Sequence, residues 1–270
     1  MLVDTHCHLN FDSFNNDRGA VLERAREAGV ERILNPGVDL VTSQAAVNLA
    51  ESHPEVFAAV GVHPNDALTW DNNTPDQLRE LAKHPKVLAI GEIGLDYYRK
   101  QTPHDIQKWV FRQQLSMAAE LGLPVVIHVR NTNLQDREAT ADVLHILSEW
   151  RSELAKVGSP LEDYPGVLHS FSDDEEAARQ AIQMNFRIGI TGPVTFRNAL
   201  VLQHVASSLP LDRLLIETDA PFLTPHPYRG QRNEPAYVRF VAEKIGQIRS
   251  LSYDVVAKAT STNAKRLFNW

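Results

Sequence analysis

Two histidines one residue apart close the apolar run that begins the chain, Leu2-Val3-Asp4-Thr5-His6-Cys7-His8. On a β-strand alternate side chains share a face, so His6 and His8 project the same way, about 6.5 to 7 Å apart along the strand axis. Two imidazoles so placed can grip one metal ion. Polar residues directly after a short apolar run recur along the chain: His63 in Gly61-Val62-His63-Pro64, Glu92 in Gly91-Glu92-Ile93-Gly94-Leu95-Asp96, His128 with Arg130, His169, and Asp219 in Glu217-Thr218-Asp219-Ala220-Pro221. A lone histidine in such a place is more often a hydrogen-bonded structural residue than a ligand, and a lone carboxylate more often caps a helix or pairs with an arginine. Recurrence at successive strand ends is poorly explained that way. By contrast, His53 and His84 precede prolines at helix ends, and His145 and His204 fall inside helical segments, so these four read as surface or packing residues.

Four histidines (His6, His8, His128, His169) with two carboxylates (Glu92, Asp219) favour zinc, manganese, nickel or iron over an all-oxygen calcium or magnesium cage, although magnesium stays among the candidate ions. The ligand count suits two divalent ions better than one. A structural zinc is closed by four ligands, commonly cysteines, whereas this chain holds only Cys7. The expectation is an open catalytic site in which metal-activated water attacks the substrate.

Eight β-like runs must position these groups, at residues 2–6, 31–35, 56–61, 86–91, 123–128, 166–169, 186–190 and 213–218. Between and after them, helical spacing marks 17–29, 42–52, 74–83, 104–121, 173–184, 198–207, 235–246 and 253–268, with Thr42 or Ser43 capping the second and Thr74-Pro75 opening the third. Strict alternation predicts a parallel sheet, and eight repeats favour closure into a (β/α)₈ TIM-type barrel with an additional C-terminal helix. An open doubly wound sheet is the alternative. In a closed barrel every candidate residue lies at a strand's carboxyl end and converges on one mouth. Residues 131–165 read as an insertion between the fifth and sixth runs: a polar stretch to 137, a helix over 138–155, and a loop with Gly158, Ser159 and Pro160.

At 270 residues the chain suits a single barrel domain spanning 1–270, and 43% hydrophobic with 23% charged residues is ordinary for a globular protein. Cys7 has no intramolecular partner, no signal-peptide pattern is present, and no stretch approaches the roughly 20 apolar residues of a membrane span, so a cytoplasmic location is expected. Strand and helix faces account for most apolar residues, which suits a monomer without an obligate protein partner. The net charge of −7 argues against a broad electrostatic grip on long nucleic acid, but not against a phosphate substrate at a metal site.

These motifs resemble the TatD-like metal-dependent deoxyribonucleases, within the metallo-dependent hydrolase superfamily of distorted (β/α)₈ barrels. The resemblance is carried in order by Asp4-Thr5-His6-Cys7-His8, Val60-Gly61-Val62-His63-Pro64, Gly91 to Tyr98, Ile127-His128-Val129-Arg130, His169-Ser170-Phe171-Ser172, Glu217 to Pro221, and Tyr228 to Pro235. It implies one metal on His6, His8, Glu92 and Asp219 and a second on Glu92, His128 and His169, with Glu92 bridging. It further implies Asp219 as general base, His63 at the substrate phosphate or leaving group, and Arg130, Arg229 and Arg232 as substrate contacts. The activity implied is exonucleolytic hydrolysis of phosphodiester bonds in DNA or a short oligonucleotide. Hydrolysis of a C–N or carboxylic ester bond in a small metabolite is the alternative, favoured if Arg229 and Arg232 point away from the metals. Two departures from the family pattern, Asn131-Thr132-Asn133 after the fifth run and Asp173 after His169, bear on substrate preference.

Overall fold

The computed structural model describes residues 2–133 and 135–270, so Leu134 of the expected polar stretch lies outside it. Eight parallel strands alternate with helices: β1 (Leu2–Asp4), α1 (Arg18–Glu27), β2 (Val30–Pro36), α2 (Leu40–Ser52), β3 (Val56–Val60), α3 (Thr74–Ala82), β4 (Val87–Asp96), α4 (His104–Leu121), β5 (Val125–Arg130), α5 (Glu138–Val157), β6 (Gly166–Leu168), α6 (Glu175–Gln183), β7 (Arg187–Ile190), α7 (Leu200–Ser208), β8 (Leu214–Ile216), α8 (Val238–Arg249) and α9 (Tyr253–Phe268). The strands pair in sequence order, which removes the doubly wound alternative. Between β8 and β1 the seam is made just above the strands: Thr5 N–H donates to the Ile216 carbonyl at 3.3 Å and His8 N–H to that of Ala220 at 2.8 Å. The result is a nearly closed barrel, tied across its seam at the level of His6 and His8.

Strands such as β3 (Val-Phe-Ala-Ala-Val) and β8 (Leu-Leu-Ile) are continuously apolar because interior side chains cover one face and helices the other. Seven strands contribute Val3, Leu34, Ala59, Ala89, Val126, Val167 and Leu215 to an interior cluster. Leu267, Phe268 and Trp270, from α9 and the residues after it, pack against that cluster and plug the barrel at the end opposite the polar residues. β7 offers only Gly189 there, because a Cβ at that position would lie 1.3 Å from Glu217 Oε1.

Three local expectations are corrected. The start of α2 is capped by Asp39, not by Thr42 or Ser43: Asp39 Oδ1 accepts the Thr42 N–H at 2.7 Å while Thr42 Oγ1 accepts the Asp39 N–H at 2.9 Å, a reciprocal box. Thr74, expected to cap α3 ahead of Pro75 as its first residue, is instead the first helical residue, and Asp71 accepts the N–H groups of Asn73 and Thr74 at 2.9 Å. Residues 131–165 are no insertion, since α5 packs against β4, β5, α4 and α6 as the barrel's fifth helix. No helix of the described residues is long and apolar enough to cross a membrane.

Phe268 is 3% exposed within the plug. Phe268→Ala is expected to lower unfolding free energy by about 3–5 kcal/mol in denaturant titrations, the cost of emptying a packed aromatic site. An unchanged midpoint would show that α9 does not seal the barrel.

Candidate metal centre

Glu92 reaches the interior through an irregularity of β4. Ile90 pairs with Val125 but Ile93 with Ile127, three residues against two, so β4 carries one extra residue. A bulge of this kind inverts the alternation beyond it. Ala89 faces the interior layer, yet above it Glu92 turns inward and Ile93 joins the core between strands and helices. The Glu92 N–H leaves the ladder and donates to the Gly37 carbonyl at 3.0 Å. Ordinary alternation places His128 two residues after Val126, His169 two after Val167, and Glu217 two after Leu215.

The two oxygens of Glu92 face different histidines. Oε2 lies 3.3 Å from His6 Nε2 and 3.4 Å from His8 Nε2, and those nitrogens are 3.1 Å apart. Asp219 Oδ1 stands 3.7 Å from the first and 3.6 Å from the second. A tetrahedral ion with bonds of about 2.0–2.1 Å separates its ligands by about 3.3–3.4 Å, so these four atoms suit a cation at their centre. Oε1 lies 2.9 Å from His128 Nδ1, 3.2 Å from His169 Nε2 and 3.7 Å from His63 Nε2.

The far nitrogen of each ring separates these histidines further. His8 Nδ1 meets the Pro36 carbonyl at 3.3 Å, His128 Nε2 meets Asp96 Oδ2 at 3.3 Å, and His169 Nδ1 meets Glu217 Oε2 at 3.3 Å. Each far nitrogen therefore donates its hydrogen; burial lowers His128 and His169, but their carboxylate neighbours outweigh it and hold both above the usual imidazole range, so a cation at the inner nitrogen would displace a proton to reach its lone pair. His63 is reversed: its Nδ1 accepts the Asn65 N–H at 3.1 Å, so the hydrogen sits on Nε2. His63 thus faces the site as a donor, although it stands close enough to Glu92 and His128 to be grouped with them.

Asp96 and Glu217, 1% and 0% exposed, were quoted within motifs but given no role by sequence reasoning. Asp4 was missed in the same way. Its carboxylate is fully buried and accepts from Thr218 N–H at 2.9 Å and Thr218 Oγ1 at 2.6 Å, fixing the turn that carries Asp219. The available signal was one further acidic residue in three of these motifs: Asp4 before His6, Asp96 after Glu92 and Glu217 before Asp219.

Burial and mutual charge set the protonation states. Burial pushes Glu92 up, but His169, His6 and the His128 hydrogen bond outweigh it and hold the carboxyl well below its usual range. Burial raises Asp219 to about 6, partly offset by His169 and His8. Burial, then His128, lowers His63 to about 3, so this ring is neutral near neutral pH. Burial and His169 also hold His6 well below the usual range.

The centre forms the floor of a cavity of about 610 Å³, lined by His8, His63, Glu92, His128, His169 and Asp219 and, toward the rim, by Phe11, Arg99, Arg130, Phe222 and Leu223. Arg130 was expected here and lines the cavity, with its guanidinium 3.9 Å above the Tyr98 ring. Arg99 was not foreseen. Arg229 and Arg232 are not among the lining residues. Arg229 lies 4.3 Å over Phe196, and Arg232 pairs in two bonds of 2.8 and 2.7 Å with Asp17 while donating to the Ser13 carbonyl. The two departures noted in sequence meet each other: Asn131 Nδ2 donates to Asp173 Oδ2 at 3.1 Å, and Thr140 Oγ1 donates to the same oxygen at 2.6 Å.

A parallel barrel whose strand ends gather histidines around a buried carboxylate is the architecture of a metal-dependent hydrolase. A family model described as TatD related DNase matches residues 3–269, and the chain belongs to that family. It is 45% identical over 268 residues to an uncharacterized metal-dependent hydrolase, YabD, of Bacillus subtilis, covering 99% of each chain. It is 36% identical over 274 residues to the 3'-5' ssDNA/RNA exonuclease TatD of Erwinia tasmaniensis, covering 99% of this chain and all of that one. The crystal structure of YJJV, a TatD homolog from Escherichia coli, superimposes with a TM-score of 0.89 at 31% identity, over 100% of this chain and 98% of that one.

Glu217→Gln weakens the acceptor that orients His169. Outer partners of this kind carry about ten- to a hundredfold in metal affinity, so zinc titration of the variant is expected to show a loss in that range. Wild-type affinity would mean that Glu217 does not orient a ligand.

Proposed function

We propose that this protein is a divalent-metal-dependent exonuclease, releasing nucleotides from the end of single-stranded DNA. The carrying observation is the division of Glu92, with Oε2 toward His6, His8 and Asp219 and Oε1 toward His128 and His169. On this reading His6, His8, Glu92 and Asp219 would hold one ion, Glu92, His128 and His169 a second, and Glu92 both. Bound divalent ions supply Lewis acidity, lowering the pKa of water and neutralising charge on a phosphate.

Asp219 is the general base, taking the proton of the water that attacks phosphorus. The bond from phosphorus to the leaving strand's oxygen breaks, and His63 Nε2–H donates a hydrogen bond to that oxygen or to a phosphate oxygen. Its neutrality and the Asn65 contact keep it a donor throughout. Arg130 keeps edge N–H groups for phosphate while its face rests on Tyr98. Arg99 shares that rim. These two arginines supply the phosphate contacts sought at Arg229 and Arg232, and with the exonuclease relatives they favour phosphodiester over C–N or carboxylic ester hydrolysis. The buried free thiol of Cys7 fits a reducing, cytoplasmic setting.

With manganese or magnesium present, a 5'-labelled single strand is expected to shorten stepwise from its 3' end. Asp219→Asn is expected to lower kcat by about a hundredfold or more with an unchanged circular dichroism spectrum. Cleavage of amides with intact DNA would overturn the reading.

A further inference from the structure

The strand order places β4 and β5 across the barrel from β8, so the cavity lined by their ends and the segments after them has two unlike sides. One carries Arg99 and Arg130. The other carries Phe222 and Leu223, 53% and 37% exposed, on the turn that leaves Asp219. Phe11 stacks on His8 with centroids 4.4 Å apart and planes at 15°, and Phe222 stands edge-on to Phe11 at 6.3 Å and 72°. Phe222 is also held from behind. Its N–H donates to the Asp219 carbonyl at 2.8 Å, and its carbonyl accepts Asn233 Nδ2 at 2.6 Å. A single exposed phenyl is ordinary on a protein surface. One fixed by its backbone at the edge of a cavity floored by histidines and carboxylates, across the barrel from two arginines, has a ready occupant.

We propose that the exposed face of Phe222, flanked by Leu223, stacks the nucleobase of the terminal nucleotide while the rest of the strand leaves over Arg130 and Arg99. This rests on the exonuclease reading. The assignment of sides follows from charge. A base offers a neutral π-face, for which an apolar aromatic wall is the complement. Every further nucleotide adds a phosphate charge, for which the basic side is the complement. Stacking on an aromatic side chain tolerates any base, because every base has a π-face. It also requires that the base be free of its partner, so the platform selects unpaired ends.

The test compares two oligonucleotides alike except at the 3' end, one finishing in thymidine and the other in an abasic tetrahydrofuran residue, with manganese present. One stacked base corresponds to about a five- to hundredfold advantage in kcat/KM, which the wild-type enzyme is expected to show for the thymidine strand. In Phe222→Ala that ratio is expected to fall to near one, and in Phe222→Trp to persist. A ratio preserved in Phe222→Ala would overturn the platform, and so would an equal loss on both strands. Zinc titration of the alanine variant identifies damage to the floor, which would equally remove Phe222 from this role. Failure of the wild-type enzyme to shorten either strand would end the exonuclease reading itself and the platform with it; shortening without dependence on the base would end the platform alone.

Discussion

One buried carboxylate organises this barrel's mouth. Glu92 is 3% exposed, and isolating an ionised carboxylate from water costs several kcal/mol unless cations or hydrogen-bond donors surround it. Here imidazoles from β5, from the residue after β6 and from the segment after β1 crowd its two oxygens. The barrel must therefore bring non-adjacent strands to a common point, and the β4 bulge turns Glu92 toward that point. Without the extra residue between Ile90 and Ile93, alternation would send an isoleucine into the site and the carboxylate into the apolar layer beneath the helices.

Around Glu92, orientation is enforced from behind. Asp96 holds His128, Glu217 holds His169 and the Pro36 carbonyl holds His8, so each ring aims a chosen nitrogen at the centre. Asp96 is itself fixed by the N–H groups of Tyr98 and Arg99 at 2.9 Å. The seam across the barrel serves the same end, because Asp219 N–H bonds to the His6 carbonyl at 2.9 Å, coupling the turn after β8 to the first histidine pair. A centre supported in this way keeps its geometry when substrate and solvent exchange above it.

The barrel and the six metal-ligand candidates were legible because the sequence repeats one local pattern, an apolar strand followed by a polar group. What escaped depends on partners distant in the chain. The inward direction of Asp96 needs the β4 bulge, which no periodicity announces. The role of Glu217 appears only when β6 and β8 come close. Arg229 and Arg232 bear the right charge for phosphate, yet neither lines the cavity: Arg229 lies over Phe196 and Arg232 pairs with Asp17, partners distant in the chain. Residues 131–165 look irregular only because their polar opening masks an ordinary barrel helix. The same distant pairing joins Asn131 and Asp173, which read separately as isolated departures.

The claim on which the rest depends is that Glu92 serves two ions at once. Anomalous diffraction from crystals grown with zinc or manganese tests it directly. Two peaks about 3.5–4 Å apart, one beside His6 and His8 and the other beside His128 and His169, with one Glu92 oxygen on each, are the predicted result. A single peak at saturating metal, or two peaks of which only one touches Glu92, would contradict it.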